Sequence, residues 1–207
     1  MTNYQPKSEI EHKQSLSQEA FDLVAIAASA GGLNALSTVL SGLPANFPAT
    51  IVIVQHLDPR HRSLMADILS RRTPLKVKQA QEGDRLELGK VYIAPPNRHL
   101  LVNPDETLSL TQSKLVHFVR PSADLLFDSV AASHKERAIA VVLTGTGNDG
   151  TMGVQAIDKM GGTVIAQDKA TSEFFGMPSA AIETGVVDFV LPLAEIAPAL
   201  TSLVMQG

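Results

Sequence analysis

Three short strings in this 207-residue sequence carry the side chains best placed to do chemistry. "AASAGG", Ala27–Gly32, presents Ser29 before two glycines, and "IVIVQH", Ile51–His56, ends on a histidine. "TGTGNDG", Thr144–Gly150, sets Asp149 among glycines, whose presence implies tight backbone and exposed N–H groups. A hydroxyl, an imidazole and a carboxylate are what nucleophilic acyl transfer requires, provided they meet. Each also has a purely structural alternative. Ser29 could cap a helix starting at Gly32, Asp149 could cap the helix that follows it, and His56 could simply be a strand-end hydrogen-bonding group.

Other chemistries fit these strings less well. "AASAGG" lacks the G-x-G-x-x-G spacing and the Lys-Ser/Thr pair of phosphate loops, and His56 stands where a ribose-binding acid would end the second strand. It is not a G-x-S-x-G elbow either, since Ala27 and Gly31 flank Ser29. His56, Asp58 and His61 have a metal-like spacing, but Arg60 and Arg62 among them disfavour a cation, so no metal is expected. The absence of cysteine excludes disulfides, thiolate catalysis and Cys-ligated zinc. A net charge of -4, no Trp and two Tyr argue against a nucleic-acid binder. No apolar stretch approaches the ~18 to 20 residues of a membrane span, so no membrane insertion is expected. Residues 1–20 are polar and mixed in charge, without the apolar centre of a secretory signal; they read as a tail or linker before a folded domain over 21–207. The expected location is the cytoplasm.

The elements that must position these groups alternate between buried strands and helices. Leu23–Ala28, Ala49–His56, Ala138–Thr144 and Gly162–Gln167 are apolar runs of the kind found in strands buried on both faces. Helical spacing appears over Leu33–Leu40, His61–Arg72, from Ser122 (with Asp124 in the first turn), Gly150–Met160, Pro178–Thr184 and Leu193–Val204. Leu75–Ala80 alternates apolar and charged residues, as an edge strand would, and Val187–Leu191 is a further short strand. Between Gly83 and Gln112 the rhythm changes, and "RLELGKVYIAPP" with "HLLVNPDETLSLT" reads as antiparallel hairpins. The pattern predicts a three-layer α/β/α, doubly wound, mainly parallel sheet with an antiparallel hairpin addition. In such sheets ligands gather at the carboxyl ends of the strands, where Ser29, His56 and the Thr144–Gly150 string fall.

The strings "AASAGG", "IVQH", "VYIAPPNRHL", "RPSADLLFDSVA", "VVLTGTGNDG" and "FFGMPSAAIETG", in this order, resemble the catalytic domain of the CheB-type chemotaxis receptor methylesterases over Leu23 to Leu200. The resemblance implies Ser29 as nucleophile, His56 as base and Asp149 as the third triad member. It further implies Ala30, Gly31, Thr146 and Met177 as oxyanion or pocket residues. The implied activity is hydrolysis of glutamate γ-methyl esters, with glutamine deamidation through the same intermediate, and neither metal nor organic cofactor. The implied partners are the cytoplasmic helices of methyl-accepting chemoreceptors and a separate receiver protein, in place of the fused receiver domain of many relatives. The family pattern is usually G-A-S-T-G-G, so Ala27 and Ala30 depart from it, and Thr146 replaces a common methionine. These departures leave a non-catalytic regulatory or binding module as the alternative. The basic residues Arg60, Arg62, Arg71 and Arg72 are read either as a docking patch for acidic receptor helices or as a solvated helix face.

Overall fold

The computed structural model describes residues 21–56 and 63–205. The strands are β1 (Leu23–Ala28), β2 (Thr50–Gln55), β3 (Lys76–Gln79), β4 (Lys90–Ile93), β5 (His99–Val102), β6 (Leu108–Thr111), β7 (Ala138–Val142), β8 (Thr163–Gln167) and β9 (Phe189–Leu191). The helices are α1 (Gly32–Ser41), α2 (Met65–Ser70), α3 (Ala123–His134), α4 (Thr151–Lys159), α5 (Gly176–Glu183) and α6 (Leu193–Met205).

Seven strands form one sheet in the order β3-β4-β2-β1-β7-β8-β9, with every neighbouring pair parallel. The uninterrupted apolar strands are buried along their whole length because helices cover both faces. Successive residues of β1 point to opposite layers. Leu23, Ala25 and Ala27 join a core with Leu126 and Phe127 of α3, Val154 of α4 and Met177 of α5. Val24, Ile26 and Ala28 join Leu36 of α1, Leu69 of α2 and Leu200 of α6. The chain winds outward from β1 to β2 and later returns to lay β7 on the other edge of β1. The carboxyl ends of β1 and β7 therefore flank the topological switch point, where a doubly wound sheet opens its crevice.

The hairpin expectation needs one correction. Lys90–Ile93 is not a hairpin arm but a parallel strand of the main sheet, between β2 and β3. Val91, Tyr92 and Ile93 are all buried, so this short run has two covered faces, which a hairpin addition lacks. The antiparallel addition is β5 and β6 alone, paired from His99↔Thr111 to Val102↔Leu108 and packed on α3. The Leu75–Ala80 expectation fits β3, at the sheet edge with its lysines reaching solvent. The readings of residues 1–20, of the His61 helix start, and of Asp58, Arg60, His61 and Arg62 fall outside the described residues.

Candidate active site

Ser29 is the first residue past β1, and its backbone is fixed on both sides. Its N–H donates to Thr144 O at 3.0 Å, while its carbonyl accepts from Gly32 N–H at 2.9 Å and from Gln55 Nε2 at 2.7 Å. Gly31 adopts φ +77, a left-handed turn that begins α1 directly behind the serine. Gly31 is also the N-cap, and no side chain among the described residues caps α1, so Ser29 does not serve as its cap. Gly32 must lack a Cβ, since one would lie 1.9 Å from Gln55 Oε1.

His56 follows β2, the strand paired with β1 in the register Ala28↔Gln55, so Ser29 and His56 are the next residues on adjacent parallel strands. The His56 N–H donates to Ala28 O at 3.1 Å, and Gln55 Nε2 donates to both the Ser29 and the His56 carbonyls, the latter at 3.0 Å. The imidazole is 13% exposed, and its Nε2 lies 2.8 Å from Asp149 Oδ2, which leaves Nδ1 to exchange a proton.

Asp149, 4% exposed, is held by a second set of donors. Ser122 Oγ and Ala123 N–H donate to its carboxylate at 2.8 and 2.6 Å, and Asp124 N–H at 3.2 Å. These donors form the N-terminus of α3, so the carboxylate sits at the positive end of that helix. Burial alone would raise its pKa, but the hydrogen bonds from His56, Ala123, Ser122 and Asp124 outweigh it and hold the carboxyl below the usual range. Asp149 therefore caps α3, which precedes it in sequence, rather than α4, which follows it. Two N–H groups at the start of α4 are taken by Asp124, whose Oδ1 accepts from Gly150 N–H at 3.0 Å and Gly153 N–H at 2.8 Å.

The other quoted strings act as scaffold. Buried His99 accepts the Ser122 N–H on Nδ1 at 3.1 Å and reaches Lys114 O with Nε2 at 3.1 Å. Its pKa is lowered, chiefly by burial, which favours the neutral ring those bonds need. Arg120 binds Asn97 Oδ1 through Nε and Nη2 at 3.0 and 2.7 Å, tying "PPNRHL" to "RPSAD". Thr144 Oγ1 accepts from Phe174 N–H at 2.9 Å and lies 3.0 Å from Ala30 O, fastening the "FFGMP" segment over the serine turn. The Met177 N–H is committed to Gly145 O at 2.9 Å, so it is not free to serve as an oxyanion donor. Its side chain is buried behind Gly145, where an added Cβ would lie 2.4 Å from Met177 Sδ and 2.8 Å from Ser29 Cβ. The N–H groups of Ala30, Gly31 and Thr146 have no hydrogen-bond partner among the described residues, and Ser29 stands beside them.

Sequence reasoning missed Gln55 and Asp124. For Gln55 the available signal was a polar residue closing an otherwise apolar buried run; for Asp124 it was an acid two places past the N-cap Ser122, a position that the helix dipole alone explains. His117 Nε2 lies 2.9 Å from Asp124 Oδ2, and His117, Asp124 and Asp149 offer ligand atoms within 4.8 Å of one another. Those atoms are already engaged with each other, with His56 and with backbone N–H groups, so the cluster is a hydrogen-bond network and not a ready metal site.

A parallel doubly wound sheet with serine, histidine and aspartate at the carboxyl ends of three strands has the makings of a nucleophilic hydrolase. Residues 24–200 match the family described as CheB methylesterase, and the chain belongs to that family. It is 41% identical over 177 residues to a Leptospira interrogans protein named for protein-glutamate methylesterase and protein-glutamine glutaminase activity, covering 86% of this chain and 92% of that protein. A Moorella thermoacetica protein-glutamate methylesterase/protein-glutamine glutaminase is 44% identical over 187 residues, covering 88% of this chain but 44% of the relative. The crystal structure of the Thermotoga maritima CheB methylesterase catalytic domain superimposes with a TM-score of 0.87 at 41% identity, covering 90% of this chain and all of that one.

Proposed function

We propose that this chain hydrolyses γ-methyl esters of glutamate side chains on chemoreceptor helices, and deamidates glutamine side chains, through Ser29, His56 and Asp149. The observation that carries the reading is the His56 Nε2 contact with Asp149 Oδ2 at 2.8 Å, made by a carboxyl held below its usual pKa range. Ser29 Oγ attacks the γ-carbonyl while His56 Nδ1 takes the hydroxyl proton, and the ionised Asp149 stabilises the imidazolium that forms. The developing oxyanion is bound by N–H groups of Ala30, Gly31 and Thr146. His56 returns its proton to the leaving group, methanol from an ester or ammonia from an amide. Water, activated by the same imidazole, then attacks the acyl-enzyme and releases a free glutamate. Ala27 and Ala30 leave this chemistry intact, since the reacting groups are side chains of Ser29, His56 and Asp149 and the oxyanion donors are backbone.

The substrate class comes from the names of the relatives and from the family. A substrate on the cytoplasmic helices of chemoreceptors supports a cytoplasmic location, and a separate receiver protein is the expected regulator. Among the described residues no helix is long and apolar enough to cross a membrane. The test is methanol release from methylated receptor by wild type and Ser29→Ala. Removing the nucleophile should cost on the order of 10³-fold or more in kcat. Equal release by the two proteins refutes the mechanism.

A further inference from the structure

We propose that Asp124, backed by His117, is a positioning residue that holds Asp149 in place for His56; the inference rests on the triad reading above. The two aspartates cap each other's helices. Asp149 accepts the N–H groups of Ala123 and Asp124 at the start of α3, while Asp124 accepts those of Gly150 and Gly153 at the start of α4. Gly150 is the residue directly after Asp149, and at φ +107 its backbone lies where side-chain-bearing residues are strained. The turn that presents Asp149 therefore depends on a partner for the Gly150 N–H, and among the described residues only Asp124 supplies side-chain acceptors to the start of α4.

The remaining oxygen of Asp124 is fixed by His117. This histidine sits at the tip of a two-residue turn between Val116 and Val119, which exchange N–H···O bonds of 3.2 and 2.8 Å. His117 and Phe118 both take positive φ, +49 and +64, conformations that such residues rarely adopt and that the rest of the turn must sustain. The result is that the His117 ring points back at Asp124 while Phe118, 95% exposed, points away. Burial, followed by the neighbouring Asp149 charge, pushes the Asp124 pKa up, and His117 and the Gly153 N–H oppose that shift. Asp149 from the Thr144–Gly150 loop, His117 from the Val116–Val119 turn and the N–H groups of α4 are the groups that face the Asp124 carboxylate. His99 of β5 and Arg120 stop at Ser122 and Asn97. Two His–Asp pairs thus stand back to back, His56–Asp149 and His117–Asp124, joined through two helix N-termini. The first performs the chemistry and the second keeps its carboxylate aimed.

The test compares Asp124→Ala with Asp124→Asn, and His117→Ala with His117→Gln. It reads kcat and KM on methylated receptor, the urea unfolding midpoint, and the strongly deshielded proton NMR signal of the N–H shared by His56 and Asp149. Asp124→Ala should lower kcat about 10- to 100-fold with KM little changed, and should broaden or abolish the shared-proton signal. Asn should restore most of both, because its amide oxygen still accepts from Gly150 and Gly153. His117→Ala should reduce kcat to a smaller extent at an unchanged unfolding midpoint, with Gln recovering it by donating to Asp124 in place of the ring. Wild-type kcat in both alanine variants, failure of Asn and Gln to rescue, or an undisturbed shared-proton signal each overturns the proposal. If Asp124→Ala does not fold, the exposed His117 pair decides. The NMR signal needs no turnover, so a failure of the triad reading, seen as full activity in Ser29→Ala, is distinguishable from a failure of this one.

Discussion

Replacing Gly145 by alanine tests whether the wall behind Ser29 sets its reactivity. The added Cβ would lie 2.8 Å from Ser29 Cβ and 2.4 Å from Met177 Sδ. Carbon atoms in contact sit at about 3.5–4.0 Å, so the serine side chain must retreat by about 0.7 Å and the sulfur by more. Neither has room to do so freely. Met177 is 1% exposed, and the Ser29 backbone is held by Thr144 O, Gly32 N–H and Gln55 Nε2. Overpacking of this kind should cost about 1–3 kcal/mol of stability. A misplacement approaching 1 Å at the nucleophile should cost up to about 10²-fold in kcat. Gly42→Ala supplies the control, because its Cβ would meet Ala197 Cβ at the same 2.8 Å, in the packing of α1 against α6 away from the Ser29 turn. Urea midpoints should fall for both variants, while methanol release should be slowed only in Gly145→Ala. Wild-type kcat in Gly145→Ala, or an equal loss in Gly42→Ala at equal destabilisation, would refute the reasoning.

Two further outcomes follow from buried titrating groups. Asp149→Asn turns an amide N–H2 toward groups that now donate to a carboxylate; it should cost about 3 kcal/mol or more of stability by urea unfolding and about 10⁴-fold in kcat. Because the folded Asp149 pKa lies below 3.8, its contribution to wild-type stability is complete above that pH and is lost as pH falls through the lower folded value. The Asn variant should lack that part of the acid loss, and an unchanged profile of urea midpoint against pH would contradict this. His134, 6% exposed, is pushed down to about 4, first by burial and then by Arg137, from an unfolded value of 6.5. The unfolded chain therefore binds the proton first, and stability should fall as pH drops from 6.5 toward 4; His134→Gln should flatten that slope, and an equal slope would count against it.

The central strands were legible in the sequence, and Ser29, His56 and Asp149 could be singled out there, because these signals are local. An apolar run such as Leu23–Ala28, six residues long and followed by glycines, has the pattern of a doubly covered strand, and the residue after it lies at the carboxyl edge of the sheet. Lys90–Ile93 was misread because its own four residues, between Gly89 and Pro95, look like a hairpin arm; its partner is β2, selected by burial on both faces. For Asp149 the structural alternative, a cap on the helix that follows it, is contradicted by the structure. A local reading sends an aspartate before a helix to that helix, whereas the left-handed Gly150 turns its carboxylate toward α3 instead. The Asp124–Gly150 and Gln55–Ser29 bonds join positions far apart in sequence, and composition carries no trace of such closures.

The central place of β1 also has a consequence for how the chain is made. One edge of β1 can pair with β2 as soon as residue 55 is available, but its other edge belongs to Ala138–Val142. Until that stretch leaves the ribosome, this wholly apolar strand carries an open row of backbone donors and acceptors, the usual template for unwanted pairing. The same late strand end brings the Thr144 carbonyl that fixes the Ser29 N–H. The serine turn therefore stays incomplete through the interval when the growing chain is most exposed to other proteins.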